Sequence, residues 1–256
     1  MKIQFSSEPF IYLILKVRMP IPALILVPGL MCDDAVWAHQ ARELASLTTV
    51  TIADHGTLDS LGGMADAILN LAPDRFAIAG HSMGGRVAFE VFRSAPDRIS
   101  GIALMDTAYT PRHDGVAGER EAAGRFALLD IARREGTRTM GAVWVQRMVH
   151  PSRLSDEVLL NSILDMIGRK TPDIFAAQIR ALLDRPDATP LMERIQCPAM
   201  VLCGREDTWS ILSQHEQMAA KIPHSRLAVI EECGHMSTME RPEHVTVAMR
   251  DWLTSL

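Results

Sequence analysis

The sequence predicts an α/β protein with a mainly parallel central sheet, helices on both faces of that sheet and an inserted helical cap. Three observations predict this fold class. Short apolar runs have the length of buried strands, helical patterns alternate with the first four runs, and a long stretch without strands follows the fourth. Such runs are typical of parallel strands that helices cover on both faces. The strand-like runs are residues 23–27, 50–53, 76–79, 102–105, 199–203 and 227–230.

Amphipathic helices fill the gaps between the first four runs. After the third run, Val87 and Val91 recur at helical spacing, whereas Arg86 and Glu90 occupy the polar positions between them. A period near 3.6 residues indicates a helix that packs one face against the sheet. Strands that alternate with helices in this way predict ligand binding beyond the carboxyl ends of the strands.

The alternation stops after Asp106, and no convincing strand follows until Ala199. A bare loop of that length is implausible in a compact domain, so we expect helices to fill it. We therefore predict a core of residues 19–109 and 191–256, with residues 110–190 inserted as a helical cap over the active site. The predicted cap helices are residues 119–134, 138–149, 155–169 and 173–184.

Composition narrows the function classes. The chain has 256 residues, which suits one α/β domain, and a formal charge of −5 from 26 basic and 31 acidic residues without long runs. This charge argues against nucleic acid and anionic membranes as partners. The four cysteines lack the spacing of a disulfide framework or a zinc site, which favours reduced thiols in a cytoplasmic protein. We expect neither a metal nor an organic cofactor.

The first 18 residues lie outside the recognisable domain. The apolar run at residues 9–15 is too short to span a membrane, and its flanks do not match a signal peptide. Two interpretations stay open for residues 1–18: an N-terminal extension that precedes the domain, or an additional edge strand.

A G-x-S-x-G turn follows the third apolar run, with Ser82 between Gly80 and Gly84. In a tight strand-to-helix turn the apical residue is strained, and glycines allow the backbone to pass closely. The serine hydroxyl is then exposed above the sheet, and the N–H group of Met83 can stabilise an oxyanion. We predict that Ser82 is a nucleophile.

An acid and a histidine follow the last two predicted strands. Asp207 comes after the strand at 199–203, and His235 comes after the strand at 227–230. A serine hydroxyl needs a base to take its proton, and a carboxylate must orient that base. The order Ser82, Asp207, His235 is the one that this fold uses for its triad. Asp106, beyond the fourth strand, is the alternative acid.

These motifs resemble those of the α/β-hydrolases with a Ser-His-Asp triad, in particular small cofactor-free carboxylesterases, enol-lactonases and meta-cleavage-product hydrolases. The resemblance spans nearly the whole chain from about residue 20 and implies the α/β-hydrolase fold. It also implies Leu30 as the second oxyanion donor, with Met31 as the alternative. Two positions depart from relatives: Pro28 stands where a histidine is usual, and residues 53–58 lack the common D-x-x-G-x-G-x-S loop.

The pocket can be predicted only coarsely. Met31 beside the oxyanion loop, and Met140, Trp144 and Met148 at helical spacing in the cap, are the candidate lining residues. They predict an apolar pocket for an uncharged small or medium carboxylic ester or lactone. A hydrolase of C–C bonds in ring-fission products and a non-catalytic ligand-binding protein stay open as alternatives. An epoxide hydrolase or haloalkane dehalogenase would need aspartate in place of Ser82. Oligomeric state cannot be predicted.

Overall fold

The computed structural model describes residues 20–256, and the predicted extension or edge strand at residues 1–18 lies outside them. Six strands form one sheet in the order β2-β1-β3-β4-β5-β6, and every neighbouring pair is parallel. The predicted α/β class is therefore confirmed. The strands are β1 (Ala23–Val27), β2 (Val50–Ile52), β3 (Phe76–His81), β4 (Ile99–Met105), β5 (Ala199–Gly204) and β6 (Ser225–Ile230).

Helices surround this sheet. Every residue of β3 and β5 is buried, which requires cover on both faces of the sheet. The helices are α1 (Ala38–Leu44), α2 (Leu61–Leu71), α3 (Met83–Ser94), α4 (Gly115–Glu135), α5 (Thr137–Trp144), α6 (Glu157–Gly168), α7 (Pro172–Leu183), α8 (Thr189–Met192), α9 (Leu212–Lys221), α10 (Ser237–Glu240) and α11 (Pro242–Leu253). The helix α2 packs on α3, and α1 packs on α11.

Residues 115–192 form a helical segment between β4 and β5 that contains α4 to α8. Its helices pack on one another, with α5 against both α4 and α6, and α4 against α7. Four of them correspond to the four helices predicted for this stretch. The division of the chain into a core and a cap domain stays a prediction.

The strand order explains where a site can form. From β1 the chain moves to β2 on one side and then to β3 on the other, so β1 and β3 are neighbours with diverging connections. A crevice opens at such a switch point beyond the carboxyl ends of the strands. Because all six strands are parallel, the loops after β1, β3, β5 and β6 meet at one edge of the sheet.

Candidate active site

Ser82 occupies the turn between β3 and α3 in a strained conformation, with φ 57° and ψ −118°. A positive φ costs a residue with a side chain about 1–3 kcal/mol. The turn depends on its glycines. A Cβ on Gly80 would lie 2.2 Å from the carbonyl oxygen of Gly84, and a Cβ on Gly84 would lie 2.1 Å from that of Val27. The N–H of Ser82 donates to the carbonyl of Met105 at 2.8 Å, which ties the turn to β4.

His235 lies between Ser82 and Asp207. Its Nδ1 is 2.7 Å from Oδ2 of Asp207, and its Nε2 is 2.8 Å from Oγ of Ser82. A carboxylate can only accept, so Nδ1 carries the proton and Nε2 can accept from the serine hydroxyl. The backbone N–H of His235 donates to the carbonyl of Met148 at 2.7 Å. The helical segment therefore holds the histidine loop in place.

Asp207 is a buried acceptor that contacts both its own turn and His235. Its Oδ1 accepts from the N–H groups of Trp209 at 2.8 Å and Ser210 at 3.0 Å, while Oδ2 faces His235. Burial opposes ionisation, but the charge and hydrogen bond of His235 outweigh it and lower the pKa of Asp207. Burial likewise opposes the imidazolium, yet Asp207 raises the pKa of His235 above its ordinary 6.5. This arrangement favours a protonated His235 beside an ionised Asp207.

Asp106, the alternative acid, has other partners. Its Oδ1 accepts from the N–H of Gly204 at 3.0 Å, and its Oδ2 accepts from the hydroxyl of Ser237. The side chain is fully buried, and burial together with the charge of Asp207 raises the pKa of Asp106 well above its usual range. Nδ1 of His235, the nitrogen that a carboxylate would orient, is already hydrogen-bonded to Asp207. Asp106 therefore joins the ends of β4 and β5 to the loop after His235.

The two candidate oxyanion donors are both unoccupied. Among residues 20–256, neither the N–H of Leu30 nor that of Met83 has an acceptor. Met31 differs, because its N–H donates to Oε1 of Gln178 at 2.8 Å. Because the N–H of Met31 already has an acceptor, Leu30 is the better candidate for the second oxyanion donor. The same hydrogen bond attaches the loop after β1 to α7 of the helical segment.

The two departures from related sequences meet in space. Nε2 of His55 is 3.2 Å from the carbonyl oxygen of Pro28, two residues before Leu30. Burial lowers the pKa of His55 to about 4, so a neutral imidazole donates to this carbonyl. The residues at both positions therefore brace the loop that carries the Leu30 N–H group.

A cavity of about 710 Å³ opens at Ser82 and His235. Leu30 and Met83 line it as well. Its size is in the range typical of small-molecule sites. Apolar residues of the helical segment line much of the remainder: Leu128, Val143, Ile163, Met166, Ile167, Phe175 and Leu182.

Two of the four predicted lining residues are in the cavity wall. Trp144 and Met148 line it, whereas Met31 and Met140 are not among the described residues that do. Both of these methionines are fully buried. Met140 lies on the face of α5 that packs into the helical segment, and Met31 is directed into the core by a left-handed backbone, with φ 60°. Helical spacing could not distinguish an inward face from a cavity face.

Sequence reasoning missed Trp209 and Gln178. The ring of Trp209 lies 4.8 Å from the ring of His235 and stacks on Trp144 at 5.4 Å. It therefore forms the wall between the histidine and the helical segment. The proximity of Trp209 to Asp207 in sequence could have indicated this position. No local signal marks Gln178, because its buried partner Met31 is 147 residues away.

The sequence predicts an apolar pocket, and the cavity is apolar in one part and charged in another. Charged side chains from the first turn of α3, from α4 and from positions 147 and 185 line this part of the wall: Arg86, Arg120, Glu121, Arg125, Arg147 and Arg185. Of the residues that suggested an apolar pocket, Trp144 and Met148 line only the other part.

Two further structural properties concern metals and membranes. Within residues 20–256, no cluster of three or more histidine, cysteine, aspartate or glutamate side chains has an arrangement that could hold a metal ion. Over the same residues, every helix is too short or too polar to cross a bilayer.

The sequence and structure are similar to those of hydrolases. The sequence model described as "Alpha/beta hydrolase family" matches residues 24–249. A pimeloyl-[acyl-carrier protein] methyl ester esterase of Aromatoleum aromaticum is 24% identical over 90% of this chain and 97% of its own length. An (E)-2-((N-methylformamido)methylene)succinate hydrolase of Acinetobacter baylyi is 30% identical over 90% of this chain and 89% of that protein. A malate-bound thermophilic esterase of Thermogutta terrifontis superposes with a TM-score of 0.81 at 30% identity, covering 91% of this chain and 90% of that one.

Proposed function

The chain belongs to the alpha/beta hydrolase family, and we propose that it is a serine hydrolase that cleaves a small or medium carboxylic ester or lactone. One observation carries the proposal. Ser82, His235 and Asp207 are joined in series by hydrogen bonds of 2.8 Å and 2.7 Å. A hydroxyl bonded to an oriented imidazole is the arrangement that activates a serine.

The proposed reaction begins when Oγ of Ser82 attacks the ester carbonyl carbon. Nε2 of His235 takes the hydroxyl proton, and Asp207 stabilises the imidazolium. The imidazolium then protonates the leaving alkoxide, which leaves as the alcohol, and the acyl group stays on Ser82. A water molecule gives its proton to Nε2 and attacks the acyl carbon. The carboxylic acid is released as the proton returns to Ser82.

Backbone groups stabilise the negative charge in this proposal. The N–H groups of Leu30 and Met83, which lack acceptors among the described residues, donate to the oxyanion. Each such donor contributes about 10²- to 10³-fold in kcat. The helical segment acts as the cap: Trp144 and Met148 wall the cavity, and Met148 also fixes the backbone of His235. A cavity of about 710 Å³ suits a small or medium substrate.

Hydrolysis of short p-nitrophenyl esters by wild type, Ser82→Ala and Ser94→Ala tests the proposal. Ser94 is an exposed residue at the other end of α3 and serves as the matched control. We expect Ser82→Ala to lose about 10⁴- to 10⁶-fold in kcat, because the nucleophile is absent. Ser94→Ala should keep the wild-type rate. Equal slow rates for wild type and folded Ser82→Ala would contradict ester cleavage by Ser82.

The same variants, assayed also on a ring-fission dienone, separate the alternatives. A C–C bond hydrolase would turn over a coloured ring-fission dienone faster than any simple ester, with the same dependence on Ser82. A ligand-binding protein would bind esters without releasing products. The esterase proposal requires faster turnover of esters than of the dienone.

A further inference from the structure

The charged part of the cavity carries more positive than negative charge. Five arginines and one glutamate line it, in a chain whose formal net charge is −5. Of these arginines, Arg120 and Arg147 are exposed at the rim. The other three form, with Glu121, a group that we call the arginine cluster: Arg86, Arg125, Arg185 and Glu121.

Both carboxylate oxygens of Glu121 accept hydrogen bonds from arginines of this cluster. Arg185 holds it through two hydrogen bonds, Nη1 to Oε1 at 2.7 Å and Nη2 to Oε2 at 2.8 Å. Arg125 adds two more to Oε1, from Nε at 3.1 Å and from Nη2 at 2.9 Å. Burial opposes the carboxylate, but Arg185 and Arg125 lower the pKa of Glu121 to about 2. One fixed negative charge therefore pairs with two guanidinium groups, and no carboxylate within the described part of the chain pairs with the third.

Arg86 is that third arginine. Within residues 20–256 its guanidinium has no carboxylate within ion-pair distance, and its one hydrogen bond runs from Nη1 to the carbonyl of Thr110 at 2.9 Å. Burial and the neighbouring Arg185 and Arg125 lower the pKa of Arg86 to about 9, so the group stays charged near neutral pH. A partly buried cation among other cations is unfavourable unless an anion offsets it.

Arg86 is also placed to act on the same molecule as Ser82. Ser82 directly precedes α3 with a non-helical backbone, and Arg86 lies in the first turn of that helix, so the two residues are only four apart in sequence. Both line the cavity. An anionic group that binds Arg86 would therefore lie within a short carbon chain of the carbonyl that Ser82 attacks.

We infer that the cavity selects esters that carry a free carboxylate, which binds the unpaired guanidinium of Arg86 while Ser82 attacks the ester group. The substrate class is a half-ester of a dicarboxylic acid. A planar guanidinium binds a carboxylate through two parallel N–H donors, and Arg125 and Arg185 add to the local positive potential. This inference rests on the proposed function, because it names the substrate class of the same site.

The test compares two methyl esters of equal acyl length, monomethyl adipate and methyl hexanoate. We expect wild type to have a kcat/KM at least about tenfold higher for the half-ester. In Arg86→Met this ratio should fall by about 10- to 100-fold. Arg86→Lys should give an intermediate ratio, because the charge stays while the planar fork is lost. Added sodium chloride should reduce the wild-type ratio, since it screens the attraction.

Arg133→Met is the matched control. Arg133 lies on α4, as Arg125 does, but it is exposed and does not line the cavity. The control removes the same charge from the chain and should leave the ratio as in wild type. A similar fall in Arg133→Met would mean that overall charge, and not a site at Arg86, sets the preference.

Other outcomes separate this inference from the proposed function. Ser82-dependent hydrolysis of methyl hexanoate with no preference for the half-ester would overturn the inference and leave the proposed function intact. A stronger preference for an ester with a phosphate in place of the carboxylate would overturn the carboxylate assignment. If neither ester is hydrolysed, calorimetry of adipate with folded Ser82→Ala still decides the matter. Binding that Arg86→Met abolishes supports the site, and the absence of binding contradicts it.

Discussion

At one end of the cavity, loops at the carboxyl edge of the sheet hold Ser82, Asp207 and His235, whereas at the other end helices carry the arginine cluster. The first group is fixed by backbone contacts: the N–H of Ser82 bonds to β4, and that of His235 bonds to Met148. The cluster is fixed mainly through side chains, with Glu121 held between two arginines. The reacting residues are therefore positioned through the backbone, while the groups that face the rest of the substrate are positioned by side-chain contacts that a substitution can change.

This difference separates reactivity from selectivity. A residue that bonds through the backbone keeps its place whatever the neighbouring side chains are, so the reaction depends on the fold. The charge of the cavity depends on a few residues of α3, of α4 and of the loop after α7. Related chains could keep the first group and replace the second, and would then take different substrates.

The largest expected effect is a loss of kcat on substitution at the carboxyl edge of the sheet. Asp207→Asn should lower kcat by about 10⁴-fold, because an amide cannot hold His235 in the required tautomer. Asp106→Asn should cost less than about tenfold, since an amide oxygen still accepts from the N–H of Gly204 and its NH₂ can donate to Ser237. Steady-state rates on one ester, with thermal unfolding as a check on folding, measure both. Equal losses would mean that Asp106 shares the role of the acid.

A pair of glycine substitutions compares the two regions in stability. A Cβ on Gly84 would lie 2.1 Å from the carbonyl oxygen of Val27, whereas a Cβ on Gly124 of α4 would meet nothing within 4 Å. Gly84→Ala should therefore lower the free energy of unfolding by several kcal/mol or prevent folding. Gly124→Ala should raise it by about 0.5–1 kcal/mol, as alanine favours a helix interior. Urea denaturation gives both values. A mild effect at Gly84 would contradict the rigid turn.

The pH dependence distinguishes the two ends without any substitution. Only neutral His235 can take the proton of Ser82, so kcat/KM should fall as pH falls through its pKa, which lies above 6.5. The half-ester preference should stay flat between about pH 6 and 8, because Glu121, with a pKa of about 2, and the arginines keep their charges there. Profiles for monomethyl adipate and methyl hexanoate measure both quantities. A preference that follows the same midpoint as the rate would place a titrating group in the arginine cluster.

The sheet and the order of the site residues could be predicted because the signals are local. The pattern is an apolar run followed by a glycine and then by a serine, an acid or a histidine. It predicts both a strand and its carboxyl end, and parallel strands bring those ends together. The predicted start of β4 was wrong. The apolar run predicts that β4 begins at residue 102, because Ser100 and Gly101 interrupt the run, but pairing with β3 already begins at Ile99.

The lining of the cavity could not be predicted in the same way. Helical spacing placed Met140 and Trp144 on similar faces, but only tertiary packing decides that Trp144 meets the cavity. The arginine cluster joins α3, α4 and residue 185, which are far apart in sequence. Arg86 is close to Ser82 in sequence, but only the folded structure shows that no carboxylate among residues 20–256 pairs with it.

The most direct test of the account is covalent labelling of wild type with a fluorophosphonate, followed by peptide mass spectrometry. The serine oxygen displaces fluoride from phosphorus, so the label reports which hydroxyl is activated. We expect one adduct, on Ser82, that forms slowly in His235→Ala and is absent from Ser82→Ala. A folded wild-type protein that takes no label, or a label that persists in Ser82→Ala, would contradict the claim that Ser82 and His235 form a nucleophilic pair.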